Sequence, residues 1–192
     1  MSTNPIIPYA FHPKKKQNAK PTVVINNFCE LLGLELPETR VSVSYCRCKH
    51  CPDMPTVKES VCCIDVQEAT SKWAKNWKKF VDETDKCYSS HHVFQKIIND
   101  ELDLDHFIQI DRMHLKQIAN LTRSVYVDEY IAAEKNDMYR FACYRKTTYL
   151  VHDIMGIGKR VQLPACIVGA IRNKYPSKSE TYKGYEEFFG ED

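Results

Sequence analysis

Three cysteines within six positions, followed by a vicinal pair, constrain this chain more than any other feature. The run reads Cys46-Arg47-Cys48-Lys49-His50-Cys51, then Cys62-Cys63, with Cys87 and Cys166 far downstream. Two cysteines spaced Cys-x-x-Cys can bring both sulfurs to one tetrahedral ion at about 2.3 Å, the natural grip for zinc. Adjacent residues direct their side chains apart, so Cys62 and Cys63 are badly placed to chelate one ion together. Serving two ions is the economical alternative. Two tetrahedral zincs offer eight positions, and one thiolate shared between them reduces the need to seven. The seven candidate ligands are Cys46, Cys48, Cys51, Cys62, Cys63, Cys87 and Cys166. A single zinc with spare thiols is the other count the spacing allows. Cys29 and Cys143 are left over and read as buried thiols.

The chain has nine cysteines in 192 residues. Disulfides would fit a small exported protein. The first twenty residues, however, carry no apolar core of a signal peptide, so a reducing, cytoplasmic setting with metal-bound thiolates is expected. Closed thiolate sites leave no position for water, which makes them structural rather than catalytic. Seven thiolates around two divalent ions leave an excess of about three negative charges. Arg47, Lys49, Lys58 and Arg172 are the cations expected to offset it, and His50 and His152 are the alternative ligands that could replace a sulfur. A thioredoxin-type redox pair should follow a strand in a βαβ pattern, and no such pattern is visible. No signature selects a catalytic Cys–His pair.

The remainder reads as mainly helical, one zinc-stabilised domain with irregular metal-bound loops, an α+β arrangement being the open alternative. Residues 1–22 hold four prolines and Lys14-Lys15-Lys16 and read as a disordered arm before a domain over 23–192. Val23–Leu34 reads as a short helix or strand ended by Gly33. The segment from Cys46 to Cys63, with Pro52 and Pro55, reads as loop. Gln67–Asp82 places Trp73, Trp77, Phe80 and Val81 at helical spacing, with Lys72, Lys75, Lys78 and Lys79 largely opposite: a core helix, or one that lies on a membrane or a partner. Ser89 or Ser90 is expected to cap a helix to Asn99, Asp111 to cap another, and Asn136 to open a long one running to about Met155. A last helix starts at Leu163-Pro164 and stops at Pro176. Its opening, Leu163–Ile171, is the longest apolar run and falls well short of the roughly 20 residues a membrane span requires. A net charge of +2 gives no broad bias toward nucleic acid, which makes that partner unlikely.

The cysteine array and the C-terminal third together resemble a known family, the cytoplasmic C-terminal (ballast) domain of the subtype-seven P2X purinoceptor, an ATP-gated channel, also found in stand-alone invertebrate proteins. The family's Trp-Cys-x-Cys-x-x-Cys start stands here as Tyr45-Cys46-Arg47-Cys48-Lys49-His50-Cys51. Pro52-Asp53-Met54-Pro55-Thr56, Cys62-Cys63 and Tyr139-Arg140-Phe141-Ala142-Cys143-Tyr144-Arg145 follow the same pattern. So do Leu163-Pro164-Ala165-Cys166, Ile171-Arg172, Tyr175-Pro176-Ser177 and Tyr182-Lys183-Gly184-Tyr185. The resemblance covers about residues 45 to 188. It implies a mixed but largely helical domain with a two-zinc cluster on the same cysteines. With zinc supplying folding free energy, the role expected is a non-enzymatic interaction or scaffold module toward a protein partner. It also implies a guanine-nucleotide site in which Arg140 and Tyr144 take the receptor-like places. Phe141, Val168 and Ser177 stand where the receptor has histidine, arginine and lysine. Each lost charged hydrogen bond is worth about 1.5–3 kcal/mol, so guanine nucleotides are expected to bind with Kd above about 100 μM. Gly156-Ile157-Gly158-Lys159 lacks the spacing of a phosphate-binding loop, because Asp153 stands where its first glycine is required.

Overall fold

A computed structural model of the chain describes residues 24–26, 28–36, 40, 45–81, 87–122, 134–153, 159–178 and 182. The arm over 1–22 lies outside them. Described residues form a mainly helical structure with one small sheet. In order these elements are β1 (Val24–Asn26), α1 (Phe28–Leu32), α2 (Cys63–Glu68), α3 (Lys72–Lys78), a 3-10 turn (Tyr88–Ser90), α4 (His92–Asn99), α5 (Glu101–Thr122), α6 (Lys135–His152), β2 (Lys159–Val161) and α7 (Ala165–Lys174). Strands β1 and β2 pair in parallel, with Ile25 opposite Arg160. No helix among the described residues is long and apolar enough to cross a membrane.

Helix α1 ends where Gly33 takes φ 69° and Leu34 N–H returns to the Cys29 carbonyl, 2.8 Å away. A left-handed residue at that place is the usual helix stop, and glycine adopts it without a Cβ penalty. Two helices replace the single one expected over Gln67–Asp82. The first starts at Cys63, so the vicinal cysteines belong to a helix N-terminus and not to a loop. Ser71 caps the second, accepting from Ala74 N–H at 3.2 Å. Trp77 of α3 is fully buried and stacks on Tyr88 and Phe94, while Lys72, Lys75, Lys78 and Lys79 face solvent. The core-packing reading of α3 therefore holds.

Ser89 and Ser90 lie in the 3-10 turn, and His91 caps α4 instead, its Nδ1 accepting from Val93 N–H at 3.3 Å. Asp111 caps nothing. It lies inside the continuous α5, where it is buried and paired with Arg145 of α6. Asp103 pairs with Lys146, and Tyr139 donates to Asp105 at 2.7 Å, so a row of polar ties runs along the α5–α6 seam beside buried Leu104 and Ile108. Helix α6 stops at His152, earlier than Met155, and Asp153 turns the chain at φ 61°. Pro164 sits just before α7, where its missing N–H costs least. The Ala165 N–H donates to the Val61 carbonyl at 2.9 Å, which sets the start of α7 directly beside Cys62 and Cys63.

Candidate metal centre

None of the nine cysteines forms a disulfide, and seven of them converge. The sulfurs of Cys46, Cys48, Cys51 and Cys62 lie within 4.8 Å of one another, as do those of Cys48, Cys63, Cys87 and Cys166. Cys48 belongs to both groups. The measured neighbours, Cys46–Cys48 at 3.7 Å and Cys48–Cys51 at 3.6 Å, approach the sulfur–sulfur edge of about 3.8 Å that a tetrahedron with 2.3 Å metal–sulfur bonds requires. These groups could hold metal ions. Cys62 enters one tetrad and Cys63 the other, as the divergence of adjacent side chains demands.

Each tetrad is assembled differently. In the outer one, Cys46, Cys48 and Cys51 come from a single tight loop. Lys49 takes φ 64° to close it, the Cys51 N–H donates to Cys46 Sγ at 3.3 Å, and Tyr45 Oη donates to the Pro52 carbonyl at 2.9 Å. Cys46 and Cys48 remain half-buried. In the inner tetrad Cys63 comes from the start of α2, Cys87 from the residue before the 3-10 turn and Cys166 from the first turn of α7, all three buried. Cys87 Sγ lies 3.1 Å from Ser89 Oγ.

So many thiols in mutual reach cannot ionise independently. Cys62 is held well below the ordinary thiol range chiefly by its hydrogen bond with Cys48, and Cys87 by its bond with Cys166. Cys48 is lowered to about 7, first by Cys166 and then by Cys51. Cys166 is pushed far up by its contacts with Cys48 and Cys51 and by burial. A cation arriving here would displace protons, so binding is linked to pH. The two leftover thiols behave otherwise. Burial raises Cys143 to about 12 and also raises Cys29, and neither joins a tetrad.

Arg47, expected to neutralise the sulfurs, binds carboxylates instead. It reaches Asp65 at 2.9 Å and Glu68 at 2.7 Å. Asp65 also accepts from Arg40 at 2.6 Å and from the Cys62 N–H at 2.9 Å. The motif reading missed Asp65 and Arg40. Asp65 had a signal in its place three residues after Cys62, the capping-box spacing at a helix start. Arg172 lies 4.7 Å from the Tyr182 ring. His50 is exposed, with Nδ1 2.5 Å from the Cys48 carbonyl oxygen, and belongs to neither tetrad. His152 is buried against Trp73 and Trp77, where burial brings its imidazole down to about 4.

Arg140 and Tyr144 both lie on α6. Arg140 donates to the Tyr175 carbonyl at 2.7 Å, pairs with Asp137, and sits 5.3 Å from the Tyr182 ring. Burial raises the Tyr144 phenol, an effect partly countered by Arg172. Val168 is half-buried on α7, and Lys178 pairs with Glu134 at 3.0 Å. The chain matches no known family model, no curated protein and no solved structure.

Proposed function

We infer that this protein is a non-enzymatic, cytoplasmic interaction module whose helices are organised by two zinc ions sharing the Cys48 thiolate. The observation that carries the reading is the pair of sulfur tetrads meeting at one cysteine. All-sulfur tetrahedral sets suit zinc, and a closed set leaves no coordination position for substrate. Metal affinity then becomes folding free energy, because the ligands are not preassembled in the unfolded chain. The resemblance to the purinoceptor ballast domain supports the same cluster and a scaffolding role toward a protein partner. Elemental analysis of protein isolated without added metal tests the metal: about two zincs per chain supports the reading, and none, or iron with sulfide, removes it. A pull-down with wild-type bait and a Cys166→Ser control tests the role. Partners that bind only the folded bait support it.

Guanine-nucleotide binding is the second reading, favoured by Arg140, Arg172, Tyr144 and Tyr182 gathering between α6 and α7. Against tight binding, the Arg140 fork is already engaged by Tyr175 and Asp137. Calorimetric titration with GDP should give Kd above about 100 μM, following the loss of two charged contacts. Submicromolar binding abolished by Arg140→Ala would make nucleotide sensing the leading function.

A further inference from the structure

The outer loop and helix α2 meet on one carboxylate. Asp65 Oδ1 receives Arg47, the residue between the two cysteines of the Cys46-x-Cys48 chelate. Asp65 Oδ2 receives the backbone N–H of Cys62 and also Arg40. Arg40 continues the network, with Nη2 3.5 Å from the Tyr45 carbonyl and its guanidinium 5.0 Å from the Tyr45 ring. The Asp65 side chain is only 10% exposed, whereas its outer neighbour Glu68, which shares Arg47, is 62% exposed. One buried group thus bonds the backbone of Cys62 and the side chain of Arg47, touching both pieces of chain that supply the outer cysteines. The three inner-only ligands, Cys63, Cys87 and Cys166, are buried.

Resting on the zinc reading above, we propose that Asp65 is a positioning residue that sets how firmly the outer ion is held, leaving the inner ion largely to the packed core. Two effects of removing its charge oppose each other. Loading four thiols makes the protein more negative, so an anion beside the cluster disfavours loading by Coulomb repulsion alone. Asp65 and Glu68 together, however, face Arg40 and Arg47, two anions against two cations, so the network is close to neutral as a unit. Asp65→Asn would leave that network with one net positive charge, which by itself favours loading, so the loss of ligand positioning has to outweigh it for the outer ion to be held less firmly. Outer-shell partners that orient ligands are typically worth 10- to 100-fold in metal affinity.

The test is zinc release from full-length protein to a chromogenic chelator, followed with time. Wild type should release two ions in two phases, and Cys46→Ser should abolish the fast one, assigning it to the outer ion. Asp65→Asn should then speed the fast phase about tenfold or more while the slow phase and the helical circular dichroism stay unchanged. Arg47→Ala, at a half-exposed position, should do the same to a smaller degree without unfolding the chain, and Glu68→Gln should change little. Acceleration of both phases together, an unchanged fast phase in Asp65→Asn and Arg47→Ala, or slower outer release would each overturn the proposal. A wild-type chain that carries no zinc would overturn the metal reading first, a distinguishable result.

Discussion

The two sulfur tetrads share Cys48 and otherwise differ in almost every physical respect. The outer tetrad closes only the stretch from Cys46 to Cys62, keeps Cys46 half-exposed among its own three cysteines, and is braced by arginine–carboxylate pairs. The inner one joins segments as far apart as Cys48 and Cys166, and its three own sulfurs are sealed in the core. Loop-closure entropy separates them only slightly. It grows with the logarithm of loop length, and the longer closure gains only about 2 kcal/mol over the shorter. What separates them is connectivity. The inner cysteines come from α2, the turn before α4, and α7, so an ion there would tie three parts of the core, whereas an ion in the outer tetrad would secure a loop.

The strongest way to break that comparison is to remove an inner ligand. Cys166→Ser should abolish cooperative folding, because structural zinc contributes on the order of 10 kcal/mol or more, against a typical domain stability of about 5–15 kcal/mol. Cys87→Ser should behave alike. Loss of the cooperative thermal transition, followed by circular dichroism, checks this. Equal tolerance of inner and outer cysteine replacements would erase the distinction.

Removal of an outer ligand should be milder. Cys46→Ser should leave a folded chain with one ion and a transition lowered by about 5–10 °C. That is the shift expected for a loss of about 2–3 kcal/mol in a domain of this size. Collapse of the fold on this change would mean that the outer ion, too, is essential to the core.

Gly169 sharpens the comparison from the other side. A Cβ there would lie 2.7 Å from Pro52 Cδ, directly behind the outer cysteine loop. In an ordinary helix interior, glycine to alanine gains about 1 kcal/mol. Overpacking of a tight contact costs about 1–3 kcal/mol, and Pro52 is held by the Tyr45 hydrogen bond to its carbonyl. Gly169→Ala should therefore be destabilising by up to about 2 kcal/mol and should displace the outer loop, with faster outer-ion release. A gain in thermal stability would show that the loop yields freely.

The gathering of seven cysteines was legible in the sequence because thiolate metal sites have a spacing that few other functions need. The divergence of Cys62 and Cys63 was readable from backbone geometry alone, while Cys29 and Cys143 fall outside the set only because a count of seven ligands leaves them over. That Cys48 is the shared sulfur was not readable, because it depends on how the loop turns at Lys49. Arg47 was misplaced for a different reason. Its proximity to thiolates in sequence is real, but a guanidinium prefers the forked geometry of a carboxylate, and Asp65 and Glu68 become its neighbours only once α2 forms. Asp111 has the composition of a helix cap. Here the tertiary partner Arg145 makes it a buried mid-helix residue, an instance of packing overriding a local signal.

The smallest effects on metal content should come from the thiols outside both tetrads. Cys143→Ser and Cys29→Ser should retain full metal and cost about 1–3 kcal/mol or less, the penalty for a buried hydroxyl offered poor partners. Cys143 Sγ lies 3.9 Å from the Ile97 carbonyl and Cys29 Sγ 3.5 Å from the Lys58 carbonyl, both long contacts. Metal loss from either variant would mean that a ligand has been misassigned.

Native mass spectrometry of wild type beside Cys46→Ser, both prepared without added metal, tests the central claim most directly. The shared-sulfur arrangement of two tetrads predicts two zincs in the wild type and one in a still-folded Cys46→Ser chain. One zinc in both, none in either, or loss of both ions from the variant would contradict it.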